Sequence, residues 1–231
     1  MTRRSRAGHP ILRPRQARYL ERLLPRRDAL AVEMEAKSAE LGVPSSEPQL
    51  ARLLEALAAI EPGGRLLEVG TGLGYGTLHL ARGAREGRVV SIDVDPGRLE
   101  LARGYLERAG VAGRVELLLG RALDVLPRLE GPFHLVFLDG AKEDYRRCLD
   151  FALPLVAVGG RIVVDNLLWT GRIADPALRP DGGDPAAEAI ERFNPYFTIH
   201  PQLATTILPL GDGVGLGVKK RPTIRELGGP Y

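Results

Sequence analysis

Apolar residues recur at helical spacing over residues 28–41 and 49–60, and Pro44, Ser45, Ser46 and Pro48 break the pattern between them. These segments predict two or three leading helices. From Arg65 onward, short apolar runs at 66–69, 89–94, 115–119, 135–138 and 162–164 alternate with amphipathic stretches. Strand and helix alternating at this spacing predict right-handed crossovers and a mostly parallel sheet covered by helices on both faces. After Asp165 the pattern changes to a polar, Gly/Pro-rich insertion over 169–184, a helix ending near Phe193, and two strands at 203–210 and 214–219. Gly211-Asp212-Gly213 between those strands is a hairpin signal. The fold class is therefore α/β, with seven strands and an antiparallel strand at the C-terminal end.

Composition sharpens this picture without redrawing it. A chain of 231 residues with 44% hydrophobic and 26% charged residues has the balance of a globular domain, and a net charge of +3 is far from that of a disordered chain. The single cysteine, Cys148, cannot close an internal disulfide and predicts a reducing, cytoplasmic setting. On the apolar side of a predicted helix, it reads as a buried inert thiol. The longest uncharged run, 193–211, contains Pro195, Pro201 and Pro209 and is no membrane span. The four histidines are scattered without metal spacing.

The charge is unevenly placed. Nine of the 32 basic residues and one of the 29 acidic ones lie in residues 1–27, so the remainder is mildly acidic, with 23 basic and 28 acidic residues. We divide the chain into a basic, disorder-prone arm (1–27), a main domain with leading helices (28–221) and a short tail (222–231). For the arm, a solvated basic end, an RNA or phosphate handle and a cleaved transit peptide all stay open, the last poorly matched because the arm holds one serine.

The sharpest local signal is the segment from Glu68 to Gly76, Glu-Val-Gly-Thr-Gly-Leu-Gly-Tyr-Gly, after a strand and opening a helix. A dinucleotide fingerprint needs glycine three positions after the second glycine, where this chain has Tyr75. That mismatch argues against NAD. Glycine gaps of one residue, Glu68 at the strand end and Asp93 closing the next strand suit a ligand with a ribose and an amino group but no pyrophosphate, and S-adenosylmethionine is such a ligand. Asp93 is placed to accept hydrogen bonds from vicinal ribose hydroxyls. A second group, Asp139-Gly140-Ala141-Lys142 and Asp165-Asn166, stands where two further strands run out, on the same rim. Two carboxylates and an amide oxygen suit Mg2+, Mn2+ or Ca2+ better than zinc. Strand-terminal Asp and Asn also simply cap helices or make turns.

Through Leu67-Glu68-Val69-Gly70, Gly74-Tyr75, Asp93, Ala109-Gly110, Leu138-Asp139, Lys142, Tyr145, Gly159-Gly160, Asp165-Asn166, Leu168-Trp169, Gly171, Phe193-Asn194 and Leu208-Pro209, then Gly211-Asp212-Gly213, the chain resembles the divalent-metal-dependent class I O-methyltransferases. That group includes caffeoyl-CoA and catechol O-methyltransferases and many bacterial relatives. The resemblance implies a Rossmann-like methyltransferase fold in which Asp139, Asp165 and Asn166 ligate the metal and Lys142 is the catalytic base. It implies that Glu68, Gly70, Thr71, Gly72, Gly74, Tyr75, Gly76, Asp93, Val94, Ala122 and Asp139 form the donor site, with Tyr75 at the methionine end and Ala122 near the adenine.

Three positions depart from the family pattern. Gly76 stands where relatives usually have a serine reaching the donor, so Thr77 or backbone has to replace that contact. Arg121 occupies an often acidic position beside the adenine pocket. Ala141 replaces the aspartate or tryptophan of plant or catechol enzymes and points away from those substrates.

In chemical terms, a methyl sulfonium needs an aligned and largely deprotonated oxygen nucleophile. Phenols start near pKa ~10. A dication on two adjacent acceptor oxygens lowers that value and disfavours the charged form of a nearby lysine. The acceptor is therefore a vicinal dioxygen compound, either a small catechol or caffeoyl-like molecule or the 5-hydroxyuridine of a tRNA wobble position. Trp169 either walls the acceptor pocket or simply packs. The family also implies a homodimer, and the expectation is no membrane partner. A dehydrogenase or a non-catalytic nucleotide-binding module is the alternative from another class.

Overall fold

The computed structural model describes residues 14–222. Three helices lead, α1 (Pro14–Leu23), α2 (Ala29–Leu41) and α3 (Pro48–Ala58). Asp28 caps α2 by accepting from the Ala31 N–H at 2.8 Å, and Gly42 closes it in the left-handed region. The second half of the basic arm is thus helical, and residues 1–13 lie outside the described residues. Arg27, its last residue, pairs with Glu35 of α2 at 2.6 Å.

The alternating region forms β1 (Arg65–Val69), α4 (Tyr75–Gly83), β2 (Arg88–Asp93), α5 (Pro96–Arg108), β3 (Val115–Leu119), α6 (Ala122–Val125), β4 (Phe133–Leu138), α7 (Tyr145–Ala152) and β5 (Val156–Val164). Then follow α8 (Pro185–Thr198), β6 (Leu203–Leu208) and β7 (Val214–Lys219). The seven strands lie in the order β3-β2-β1-β4-β5-β7-β6. Pairing is parallel from β3 through β5, while β7 runs antiparallel between β5 and β6.

Two helical layers cover this sheet because its central strands are apolar on both faces. On β1, Leu67 and Val69 face the layer that includes Tyr145, Phe193 and Phe197, and Leu66 faces the layer that includes Met34, Tyr75 and Leu78. On β4, Val136 and Leu138 join the first layer, Leu135 and Phe137 the second. This period of two places Glu68 on the second face, where it is 1% exposed.

The largest departures from the predicted boundaries are at β5 and α8; elsewhere strand ends move by one or two residues, as at β4, which begins at Phe133, and β6, which ends at Leu208. Strand β5 begins at Val156 rather than 162, with a register shift against β4 between Phe133 and Leu135. Helix α8 continues past Phe193 and through Pro195 to Thr198. Phe193 and Phe197 stack at 5.6 Å on the core, and their burial outweighs the backbone hydrogen bond that Pro195 removes.

Candidate functional site

The strand order reverses at β1, so connections leave β1 and β4 in opposite directions and open a crevice at their carboxyl ends. A cavity of about 750 Å3 occupies it. Thirteen of the residues expected from sequence line this one space: Glu68, Gly70, Thr71, Gly72, Tyr75, Gly76, Asp93, Val94, Ala122, Asp139, Lys142, Asn166 and Trp169. Two do not. Gly74 caps α4 in the left-handed region, where an added Cβ would stand 3.1 Å from the Ala102 Cβ, and Asp165 borders a smaller neighbouring cavity of about 340 Å3, which Asn166 shares.

On the β1 side the wall is mostly backbone. Gly70 has φ +98°, and a Cβ there would stand 2.2 Å from the Asp139 carbonyl oxygen. Its missing side chain therefore lets the ends of β1 and β4 meet, a packing role beside the tight turn that glycine allows here. Asp93 braces the glycine turn: Oδ2 accepts from the Gly72 N–H at 2.8 Å and Oδ1 from the Asp95 N–H at 3.0 Å. Each oxygen retains a further lone pair.

Glu68 is the least expected group on this side. Its Oε2 accepts from the Thr77 hydroxyl and from Ser91 Oγ at 2.5 Å, and burial pushes its carboxyl up to about 8. Thr77 is fully buried and committed to Glu68, so it does not replace the serine contact discussed for Gly76. Nor is there room for that serine, because a Cβ on Gly76 would meet Glu68 Oε1 at 2.3 Å. Tyr75 lines the cavity, but its hydroxyl donates to Glu35 of α2 at 2.6 Å.

The β4/β5 side is built of charged side chains. Lys142, in the short 3-10 turn before α7, donates from Nζ to Asp139 Oδ1 at 3.0 Å and to the Tyr145 hydroxyl at 2.7 Å. Tyr145 in turn donates to the Asp165 carbonyl oxygen at 3.0 Å. Burial pushes Asp139 up while Lys142 pulls it down; burial and then Asp139 push Asp165 up to about 7. Tyr145 is raised well above an ordinary phenol by burial and by the same two carboxylates. Two carboxylates crowded at one buried place, with an amide beside them, are a donor set that a divalent cation fits. Among the described residues no group of three or more His, Cys, Asp or Glu side chains could hold a metal, so such a site depends on Asn166 as its third ligand.

Trp169 closes this side. Its Nε1 donates to Asp184 at 3.0 Å, and Asp184 also accepts from Arg172 at 3.0 Å and caps α8 at Ala187 N–H. The Ala187 bond, Trp169 and Arg172 hold the Asp184 carboxyl below the usual carboxylate range. Cys148 also borders the cavity, and burial pushes its thiol up to about 12, as an inert cysteine should be.

Sequence reasoning gave no role to Ser91, Tyr145, Asp184 or Asp212. Ser91 reads as a strand residue, Tyr145 stands in the family motif three residues after Lys142 without a role of its own, and Asp184 and Asp212 touch the site only after the chain has folded back on itself. Asp212, between two glycines in the turn that joins β6 to β7, carries in the sequence only the signal of a turn.

Residues 23–220 match a family model described as O-methyltransferase. The chain is 40% identical over 198 residues to a catechol O-methyltransferase of Mycobacterium tuberculosis, covering 82% of this chain and 88% of that one. A catechol O-methyltransferase of Niastella koreensis is 31% identical over 214 residues, covering 87% and 95%. Among solved structures, the O-methyltransferase TomG of Streptomyces achromogenes, in complex with S-adenosylmethionine, has a TM-score of 0.78 at 31% identity over 88% and 95% of the two chains.

Proposed function

The chain belongs to the O-methyltransferase family, and from that premise we propose that it moves the methyl group of S-adenosylmethionine to one hydroxyl of a small catechol-like acceptor, with the help of a divalent cation. One observation carries the reading: the glycine turn braced by Asp93 and the Asp139–Lys142 pair, which the buried Tyr145 supports from behind, open into the same cavity. The names of the relatives support a catechol-type acceptor.

Asp93 receives the donor's ribose hydroxyls on its free lone pairs, and the backbone of 70–72 packs along the donor. Glu68 Oε1, left open by the absent Cβ of Gly76, faces that half of the cavity. Asp139, Asp165 and Asn166 would hold the cation, which when bound lowers the pKa of an acceptor hydroxyl it touches. Lys142 as the neutral amine, whose two N–H groups meet Asp139 and the Tyr145 hydroxyl fixed on the Asp165 carbonyl, receives the hydroxyl proton on its Nζ lone pair. The acceptor oxygen then forms its bond to the methyl carbon as the carbon–sulfur bond breaks, releasing S-adenosylhomocysteine. Trp169 walls the acceptor side.

Methyl transfer from labelled S-adenosylmethionine, with Mg2+ or with EDTA, to a catechol and to tRNA containing 5-hydroxyuridine tests every part. Turnover on catechol that EDTA abolishes is the expected result. Turnover on tRNA at far lower substrate concentration would replace the small acceptor by a wobble base, and EDTA-insensitive turnover would remove the cation.

A further inference from the structure

Among the described residues other than glycine, three adopt positive φ: Asn166 (61°), Trp169 (48°) and Thr170 (53°). All three lie in the turn that leaves β5 at the rim of the site. For a tryptophan and a β-branched threonine this backbone is strained, and such strain persists only where the surroundings hold it. One carboxylate spans the turn. Asp212, in the connection between β6 and β7, accepts from the Thr170 N–H on Oδ1 at 2.5 Å and faces Asn166 Nδ2 with Oδ2 at 3.5 Å. Its backbone carbonyl accepts from the Leu168 N–H at 2.8 Å.

A carboxylate accepts hydrogen bonds and does not donate them, so the Asn166 amide has to present its NH2 to Asp212. The Asn166 Oδ1 is then the atom left for a cation. Asn166 itself stands between two cavities, the larger bordered by Asp139 and the smaller by Asp212 and Asp165. We infer that Asp212 is a positioning residue: it sets which atom of the Asn166 amide is offered to the cation, and it clamps the strained turn that carries Trp169. This rests on the cation reading proposed above and adds to it a residue from another part of the chain.

The two duties separate chemically. In Asp212→Asn the side-chain oxygen still accepts from Thr170, but an NH2 now faces Asn166 and forces its amide to turn over, aiming NH2 toward the cation. Mn2+ titration of the full chain, read by the paramagnetic resonance of free Mn2+, is the measurement, with emission of Trp169, the only tryptophan, as the report on the turn. D212N should bind Mn2+ about 10- to 100-fold more weakly than wild type, with Trp169 emission unchanged. Adding Asn166→Asp, whose carboxylate can accept from the new NH2 and still ligate, should restore binding in N166D/D212N. Asp212→Ala should lose Mn2+ affinity and also shift the Trp169 emission. A residue with a merely structural role would move Trp169 emission in D212N and would not be rescued by N166D. Equal Mn2+ affinity in wild type and D212N would overturn the inference and leave the cation reading standing. No Mn2+ binding by the wild type would overturn both.

Discussion

The two sides of the cavity are held together by different means. On the β1/β2 side, contacts are between backbone and backbone or between a strand end and the next strand: Gly70 against Asp139, Asp93 on the Gly72 N–H, Glu68 on Ser91 and Thr77. On the β4/β5 side, an open turn is tethered from a distance, Thr170 by Asp212 across 42 residues and Trp169 by Asp184 across 15. The core of the first side leaves little room for change, because its glycine turn and the strand ends it joins are in backbone contact. The second can change acceptor by changing loops and tethers while the frame stays fixed.

The largest effect expected from breaking this contrast is at Gly70. Alanine there places a Cβ 2.2 Å from a backbone carbonyl at a φ that alanine avoids, and should destabilise the fold by roughly 3 kcal/mol or more, read as a drop in thermal midpoint with loss of donor binding. Unchanged stability would mean the two strand ends can part without harm.

Lys142→Met comes next and acts on the other side alone. It should lower kcat about 100-fold or more and leave the S-adenosylmethionine Kd within about twofold by calorimetry. A matching loss of donor affinity would show that the two sides are not separable. Asp93→Ala is the mirror image. It should weaken donor binding about 10- to 100-fold, since hydrogen bonds to a charged group are lost, while bound donor still reacts.

The smallest effect is in pH dependence. Glu68 has its folded pKa raised to about 8 from an unfolded value near 4.5, so its carboxyl contributes fully to stability below about pH 4.5, and that contribution is lost as pH rises toward 8. Glu68→Gln should flatten the fall in unfolding free energy over that window, by a few kcal/mol at most. A denaturant series at pH 5, 6.5 and 8 that gives parallel slopes for both proteins would assign the pH dependence to another group.

The same contrast explains what could be read from the sequence. Strands β1, β2 and β3, the glycine turn and Asp93 follow from local pattern because their partners are neighbours in the chain or in the sheet. The hairpin at 211–213 was legible as well. The end of α8 was not, because Pro195 signals a stop that the stacked Phe193 and Phe197 override. Glu68 and Asp93 look alike as acids at the ends of adjacent strands, yet Glu68 is buried at the foot of the cavity on serine and threonine while Asp93 braces the glycine turn at its rim. Asp184 and Asp212 carry no local mark of their task, since only tertiary folding brings them to Trp169 and Thr170.

Because β7 runs against its neighbours, its beginning lies where β4 and β5 end, and it is among the last segments of the sheet to be synthesised. A nascent chain has β1 and both its sheet neighbours available well before residue 212 emerges, and until then β5 is an edge strand and Thr170 lacks the carboxylate that holds it, with Asp184 alone to tether the turn through Trp169.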